Sequence, residues 1–148
     1  MGGGAAAAPC HDPAAMIRVV RLGSPRLVDE GVRLGTVRRP PRGVPKARHA
    51  ADGWYDVWLP TLAPSAVLLA GIQGGAAMDA RRWADFSRRY RAEMVASPAR
   101  DTVAVLAALS HGSDFSIGCY CADAAHCHRS LLRDIFAAAG AAVDAAPR

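Results

Sequence analysis

The apolar positions fall into short blocks with two different periods. Ile17-Arg-Val-Val-Arg-Leu22 is β-branched and closed by Gly23-Ser-Pro25, and Val32-Arg-Leu-Gly-Thr-Val37 repeats the pattern. Both predict strands. Gly35 inside the second predicts a bulge or the close approach of another group. The pattern then breaks. Arg38 to Lys46 holds three prolines and a glycine, which exclude regular structure. Trp54 to Leu59 predicts a short strand or an ordered turn. Helical periods follow. Ser65 is placed to cap a short helix through Ile72, with Gly74-Gly75 as its stop. Asp79 is placed to cap a helix to about Ala96 that carries Trp83, Phe86, Tyr90 and Met94 on one face. Ser97 as cap and Pro98 at the first helical position predict a third helix, with Val103, Leu106 and Leu109 apolar and its end near Gly112. Phe115 to Cys121 predicts a buried strand. The last helix is expected from about Cys127, with Leu131, Leu132, Ile135 and Phe136 inward and Gly140 after its end.

Strands separated by helices predict an α/β fold: one three-layer domain over residues 16–140, its small, mostly parallel sheet flanked by helices. A length of 148 residues fits a single domain. Residues 1–15 are low in complexity and lack the basic start and apolar centre of a secretory signal, so a disordered extension is expected there, with Met16 an alternative start. Residues 141–148 are expected to fray. The expected compartment is the cytoplasm. No apolar run approaches the ~18 residues of a membrane span.

Composition changes this picture in two ways. Hydrophobic residues make up 51% of the chain, but 32 of them are alanine, so the core must come from the larger side chains. The formal net charge is +5, with Lys46 the single lysine among eighteen basic residues. A modest positive charge favours anionic partners, whether nucleotides, phosphates or nucleic acid. The loop after the second strand concentrates it: Arg33, Arg38, Arg39, Arg42, Lys46 and Arg48 occur with no acid between Val32 and Ala51. Trp54, Tyr55 and Trp58 follow closely and suit either a stacked base or a small aromatic core.

Chemistry concentrates at Cys119-Tyr-Cys-Ala-Asp-Ala-Ala-His-Cys-His-Arg-Ser130. This segment joins a strand end to a helix start, where α/β folds place ligands and where free backbone N–H groups attract anions. Three readings are open. In the first it is an anion-binding or catalytic loop: Cys127 or Cys121 is the nucleophile, His128 the base, and Arg129, Ser130, Arg38, Arg39, Arg42 and Lys46 the anion-binding groups. The phosphatase spacing of Cys, five residues, Arg is absent. In the second, Cys119, Cys121, His126, Cys127 and His128 ligate a zinc-type metal, although adjacent Cys127 and His128 are awkward for one tetrahedral ion. In the third, Cys119 and Cys121 are small buried strand residues. On an extended strand those two lie near the upper limit for a disulfide, so a bridge needs distortion.

Several of these segments together resemble the bacterial "domain of unknown function 488" family. They are Gly35 to Lys46, Tyr55 to Pro60, Leu62 to Ser65, the helix with Trp83, Phe86, Tyr90 and Glu93, and Cys121 through Cys127-His-Arg-Ser-Leu-Leu132. The resemblance spans about Met16 to Gly140. It implies a small cytoplasmic α/β protein with no established activity. Carried over by position, the motif residues are Arg38, Pro41, Arg42, Gly43, Lys46, Pro64, Ser65, Cys121, Cys127, His128, Arg129 and Ser130.

The functional expectation is an anionic, nucleotide-like small molecule bound at the strand-end loop, with thiol-based chemistry and no assigned cofactor. The alternatives are a zinc-type metal protein and a nucleic-acid-binding accessory using the basic loop. No membrane partner is expected.

Overall fold

The computed structural model describes residues 15–72 and 77–144. Residues 1–14 of the low-complexity start, the Gly74-Gly75 stop and the last four residues of the expected tail lie outside the described residues, while Ala15, expected in the disordered extension, is buried.

Four strands form one sheet: β1 (Ile17–Arg21), β2 (Val32–Gly35), β3 (Val57–Trp58) and β4 (Phe115–Cys119). The order is β1-β4-β2-β3 and every pairing is parallel. Four helices accompany it: α1 (Ala66–Ala70), α2 (Ala80–Met94), α3 (Ala99–Leu109) and α4 (His128–Ala138). The molecule is an α/β domain, as the alternation of periods predicts. The central strand, β4, is buried along its whole length.

The strand period of two sorts the side chains. Ile17, Val19, Leu34, Phe115 and Ile117 join one apolar core with Leu68 of α1, Phe86 and Tyr90 of α2, Val103 of α3, and Leu132 and Phe136 of α4. All four helices therefore contribute to the same face of the sheet. The opposite face is covered by loop segments. There Gly35 lies under the Tyr55 ring, so close that a Cβ on residue 35 would sit 2.3 Å from Tyr55 Cδ1. Gly118 is closed off by Leu22 in the same way. Glu30 and Arg33, both essentially without solvent exposure, form an ion pair beneath the same loops. Ser116 Oγ donates to Glu30 Oε1 at 3.0 Å. Arg33 also donates to the carbonyls of Ser24 and Gly53. One buried guanidinium thus ties two loops to the sheet.

Most predicted caps form. Ser65 Oγ accepts from Leu68 N at 3.1 Å, and Asp79 Oδ1 from Arg82 N at 2.8 Å. The start of α3 differs. Pro98 rather than Ser97 precedes its first residue, and Ser97 Oγ donates to Asp101 Oδ2 at 2.8 Å. The end of β4 differs too. The strand stops at Cys119, two residues early, and the chain bends at Tyr120. At the carboxyl end of the chain, residues 142–144 pair with β1: Ile17 N donates to Ala142 O at 2.8 Å and Asp144 N to Ile17 O at 2.9 Å. The fraying expected from residue 141 therefore does not begin there. Among the described residues no helix is long and apolar enough to cross a membrane.

Candidate functional site

Parallel strands all point their carboxyl ends the same way, and here those of β1, β2 and β4 open onto a cleft of about 1220 Å³. Its walls are partly apolar, with Leu22, Val37, Ile72 and Phe86, and partly aromatic, with Trp54 and Tyr120. The two aromatic rings meet edge to face at 5.8 Å. The charged residues on its lining are Arg21, Arg38, Arg39 and Arg42, with no carboxylate among them.

At the floor lie three sulfurs. The bend at Tyr120 turns Cys121 back, so its Sγ is 3.6 Å from Cys119 Sγ. Cys127, which precedes α4, completes a group whose sulfurs all lie within 4.8 Å of one another. Cys119 and Cys127 are buried and Cys121 is exposed. Their ionisation is shared unequally. Hydrogen bonds from the Cys119 and Cys127 thiols lower the Cys121 pKa to about 2 against the opposing effect of burial, and Arg129 adds positive charge. The contact with Cys121 raises Cys119 to about 11, and contacts with Cys119 and Cys121 raise Cys127 as well, so these two remain protonated. The thiolate belongs to Cys121, the one exposed residue of the three.

The surroundings fix this group in place. Arg129 Nη1 donates to the carbonyl of Cys121 at 2.5 Å and to that of Cys119 at 3.5 Å. It also lies 4.0 Å from Cys127 Sγ. The Arg129 Nε is buried with no hydrogen-bond partner. His128 Nε2 donates to the carbonyl of Thr36 at 2.6 Å, which leaves Nδ1 as the bare nitrogen, 4.0 Å from Cys127 Sγ. Burial lowers the His128 pKa to about 4, so its imidazole is neutral near pH 7. Tyr90 packs edge-on against that ring, and its hydroxyl donates to Leu62 O at 2.7 Å.

A family model described as the active DUF488-N3 subclade matches residues 17–140. The chain belongs to this DUF488 family. No curated protein and no solved structure matches it.

In this DUF488 chain the residues singled out from the sequence separate into distinct places. Cys119, Cys121, Cys127, His128, Arg38, Arg39 and Arg42 come together on the cleft. Arg38 is already engaged there, through Nε to Pro64 O at 3.0 Å and through Nη2 to Pro60 O and Ala63 O. Arg39 and Arg42 are exposed. Arg129 lies behind the sulfurs, 2% exposed, with its contacts on backbone. Ser130 Oγ donates to Cys127 O in the first turn of α4. Lys46 is exposed on a short 3-10 turn and does not line the cleft. Of the five residues considered for a metal, only the three cysteines group together among the described residues. His126 reaches the cleft rim instead, held by Asp123 Oδ2 at 3.0 Å and packed against Trp83.

Two participants were not identified from the sequence. Arg21 and Tyr120 line the cleft, and the same strand-end rule, applied to β1 as well as β4, finds them. The Thr36 carbonyl that fixes the His128 tautomer has no side-chain signal at all.

Proposed function

We propose that this cleft binds an anionic, nucleotide-like small molecule and that Cys121 is the nucleophile that acts on it. One observation carries the reading: Cys121, the one exposed residue of the cysteine group, lines a cleft whose charged residues are all arginine. A thiolate is the nucleophilic form of cysteine, and a positive surround both stabilises it and attracts an anionic reactant. Arg39 and Arg42 supply exposed charges, bidentate forks suited to phosphate or carboxylate. Trp54 offers a flat face for a base. Arg129 acts from behind, holding the backbone of Cys119 and Cys121 rather than meeting the ligand. Neutral His128 carries no charge to the anion.

Titration calorimetry with nucleoside monophosphates and with inorganic phosphate tests the binding half. The expected result is saturable binding, weakly dependent on salt, lost in an Arg39→Ala, Arg42→Ala double variant and retained in Cys121→Ser. Binding indifferent to the two arginines overturns it. Affinity only for polynucleotides, falling steeply with salt, replaces it with the nucleic-acid reading. Native against denaturing mass spectrometry tests the thiol half. A retained metal mass that disappears in each cysteine variant assigns the sulfurs to coordination and overturns the nucleophile.

A further inference from the structure

We infer that Cys119 and Cys121 form a two-electron dithiol couple, in which Cys121 meets a hydroperoxide and Cys119 resolves it as an intramolecular disulfide. The inference rests on Cys121 being the reactive thiol of the proposed site, but not on which anion that site takes. Three observations carry it. The two sulfurs are 3.6 Å apart, so a bond of about 2.05 Å requires an approach of only about 1.5 Å, within reach of side-chain rotation. Exposure is divided as such a couple requires: Cys121 opens to the cleft, while Cys119 is 6% exposed and Cys127 2% exposed. An oxidant from solvent therefore reaches one sulfur, and the second waits behind it. Finally, Arg129 binds the carbonyls of both residues, which holds the Cys-Tyr-Cys bend in the geometry that brings the sulfurs together.

The Cys121 thiolate attacks the terminal oxygen of the hydroperoxide; the O–O bond breaks, the OH stays on sulfur, and the departing alkoxide or hydroxide takes a proton from solvent. Cys121 is then a sulfenic acid, oxidised by two electrons. The Cys119 sulfur attacks the Cys121 sulfur, the S–O bond breaks, and the Cys119 proton leaves with the hydroxide as water. The two sulfurs are now bonded, and the site has lost its nucleophile. A dithiol reductant restores both thiols by exchange.

The test uses the reduced full-length chain and hydrogen peroxide at one equivalent, followed by alkylation in denaturant and peptide mass mapping. The expected product has lost two hydrogens, links Cys119 to Cys121, and reverts with dithiothreitol. Cys127→Ser is expected to give the same link. Cys119→Ser, its fold checked by circular dichroism, is expected to stop at a sulfenic acid on Cys121 that dimedone traps. A Cys121 oxidised to sulfinic or sulfonic acid beside an alkylatable Cys119 overturns the couple while leaving Cys121 as the reactive thiol. A link from Cys121 to Cys127 or Cys10 also overturns it. A Cys121 that peroxide leaves untouched overturns both the couple and the reading beneath it.

Discussion

His128 and Thr36 are 92 residues apart in sequence and 2.6 Å apart in the structure, joined by a hydrogen bond from the imidazole Nε2 to the backbone carbonyl. This bond ties the first residue of α4 to the chain leaving β2. It also decides the chemistry of the ring. A carbonyl can only accept, so Nε2 carries the proton and Nδ1 faces Cys127 without one. The sulfur group is thus held between two strand ends, β2 through His128 and β4 through its own chain.

The buried histidine makes stability depend on pH with a definite sign. The His128 pKa falls from an ordinary 6.5 to about 4 in the folded state. The unfolded chain therefore binds more protons between those values, and stability falls as pH drops from about 6.5 toward 4. The loss saturates on the order of 3 kcal/mol below the folded pKa. Urea unfolding at pH 7, 6 and 5 is expected to show this slope and to show it flattened in His128→Gln. A wild-type stability constant over that range contradicts the assignment.

Cys121 is expected to alkylate first, and with little dependence on pH. An ordinary thiol gains roughly tenfold in rate per pH unit below its pKa. Here the lowered pKa keeps the thiolate populated throughout the neutral range, so the iodoacetamide rate at Cys121 is expected to stay flat between about pH 5 and pH 8. Replacing Cys127 with Ser or Cys119 with Ala alters or removes one of the thiol hydrogen bonds; the Cys119→Ala variant is expected to restore part of the ordinary slope. Peptide-resolved alkylation kinetics decide this, and a wild-type slope like that of free cysteine would refute it.

The buried Glu30–Arg33 pair is expected to be sensitive to the loss of one partner and tolerant of the loss of both. Burial pushes the Glu30 pKa up, but hydrogen bonds from Arg33, the Leu27 N–H and Ser116 outweigh it and hold the carboxylate ionised below the usual range. Arg33→Met strands that charge and is expected to cost about 3–5 kcal/mol. Adding Glu30→Leu is expected to recover much of the loss, because the pair's desolvation cost goes with it. Denaturant unfolding of the two single variants and the double variant measures the coupling. Additive losses would show that the pairing is not what these residues contribute.

Gly35→Ala is expected to destabilise the fold by about 1–3 kcal/mol through overpacking. The new methyl meets the Tyr55 ring at 2.3 Å, and that ring is buried and braced edge-on by His49 at 5.1 Å. Gly43→Ala meets no such wall, since nothing lies within 4 Å of its Cβ position. Its effect is confined to the strain of a positive φ of 74°. Thermal unfolding of the pair is expected to separate them, with Gly35→Ala the more damaging. The reverse order would mean that Tyr55 moves freely.

Local pattern along the chain carries the class of fold and marks out the strand-end segment 119–130 as a candidate site. Strand blocks at Ile17–Arg21 and Phe115–Cys119, separated by helical periods, point to a mostly parallel sheet, because a parallel strand needs a long crossover and a helix is its usual form. Ser65 and Asp79 announced their helices because capping is local. Gly35 announced a bulge or a close approach for an equally local reason, the missing Cβ, and the Tyr55 ring makes it the second. Contacts between residues far apart in the chain leave no such local mark. No local pattern says that Arg38 will spend its donors on the Pro60–Pro64 carbonyls, that Arg129 will turn behind the sulfurs, or that Lys46 will miss the cleft. A charge in a loop reads the same whether it meets a ligand or a carbonyl. Nor did the spacing of Cys119 and Cys121 reveal their contact. An extended strand keeps such residues apart, and the bend at Tyr120 closes them to 3.6 Å. That bend is held by Arg129 reaching back from α4, so it exists only once the helix is docked on the sheet.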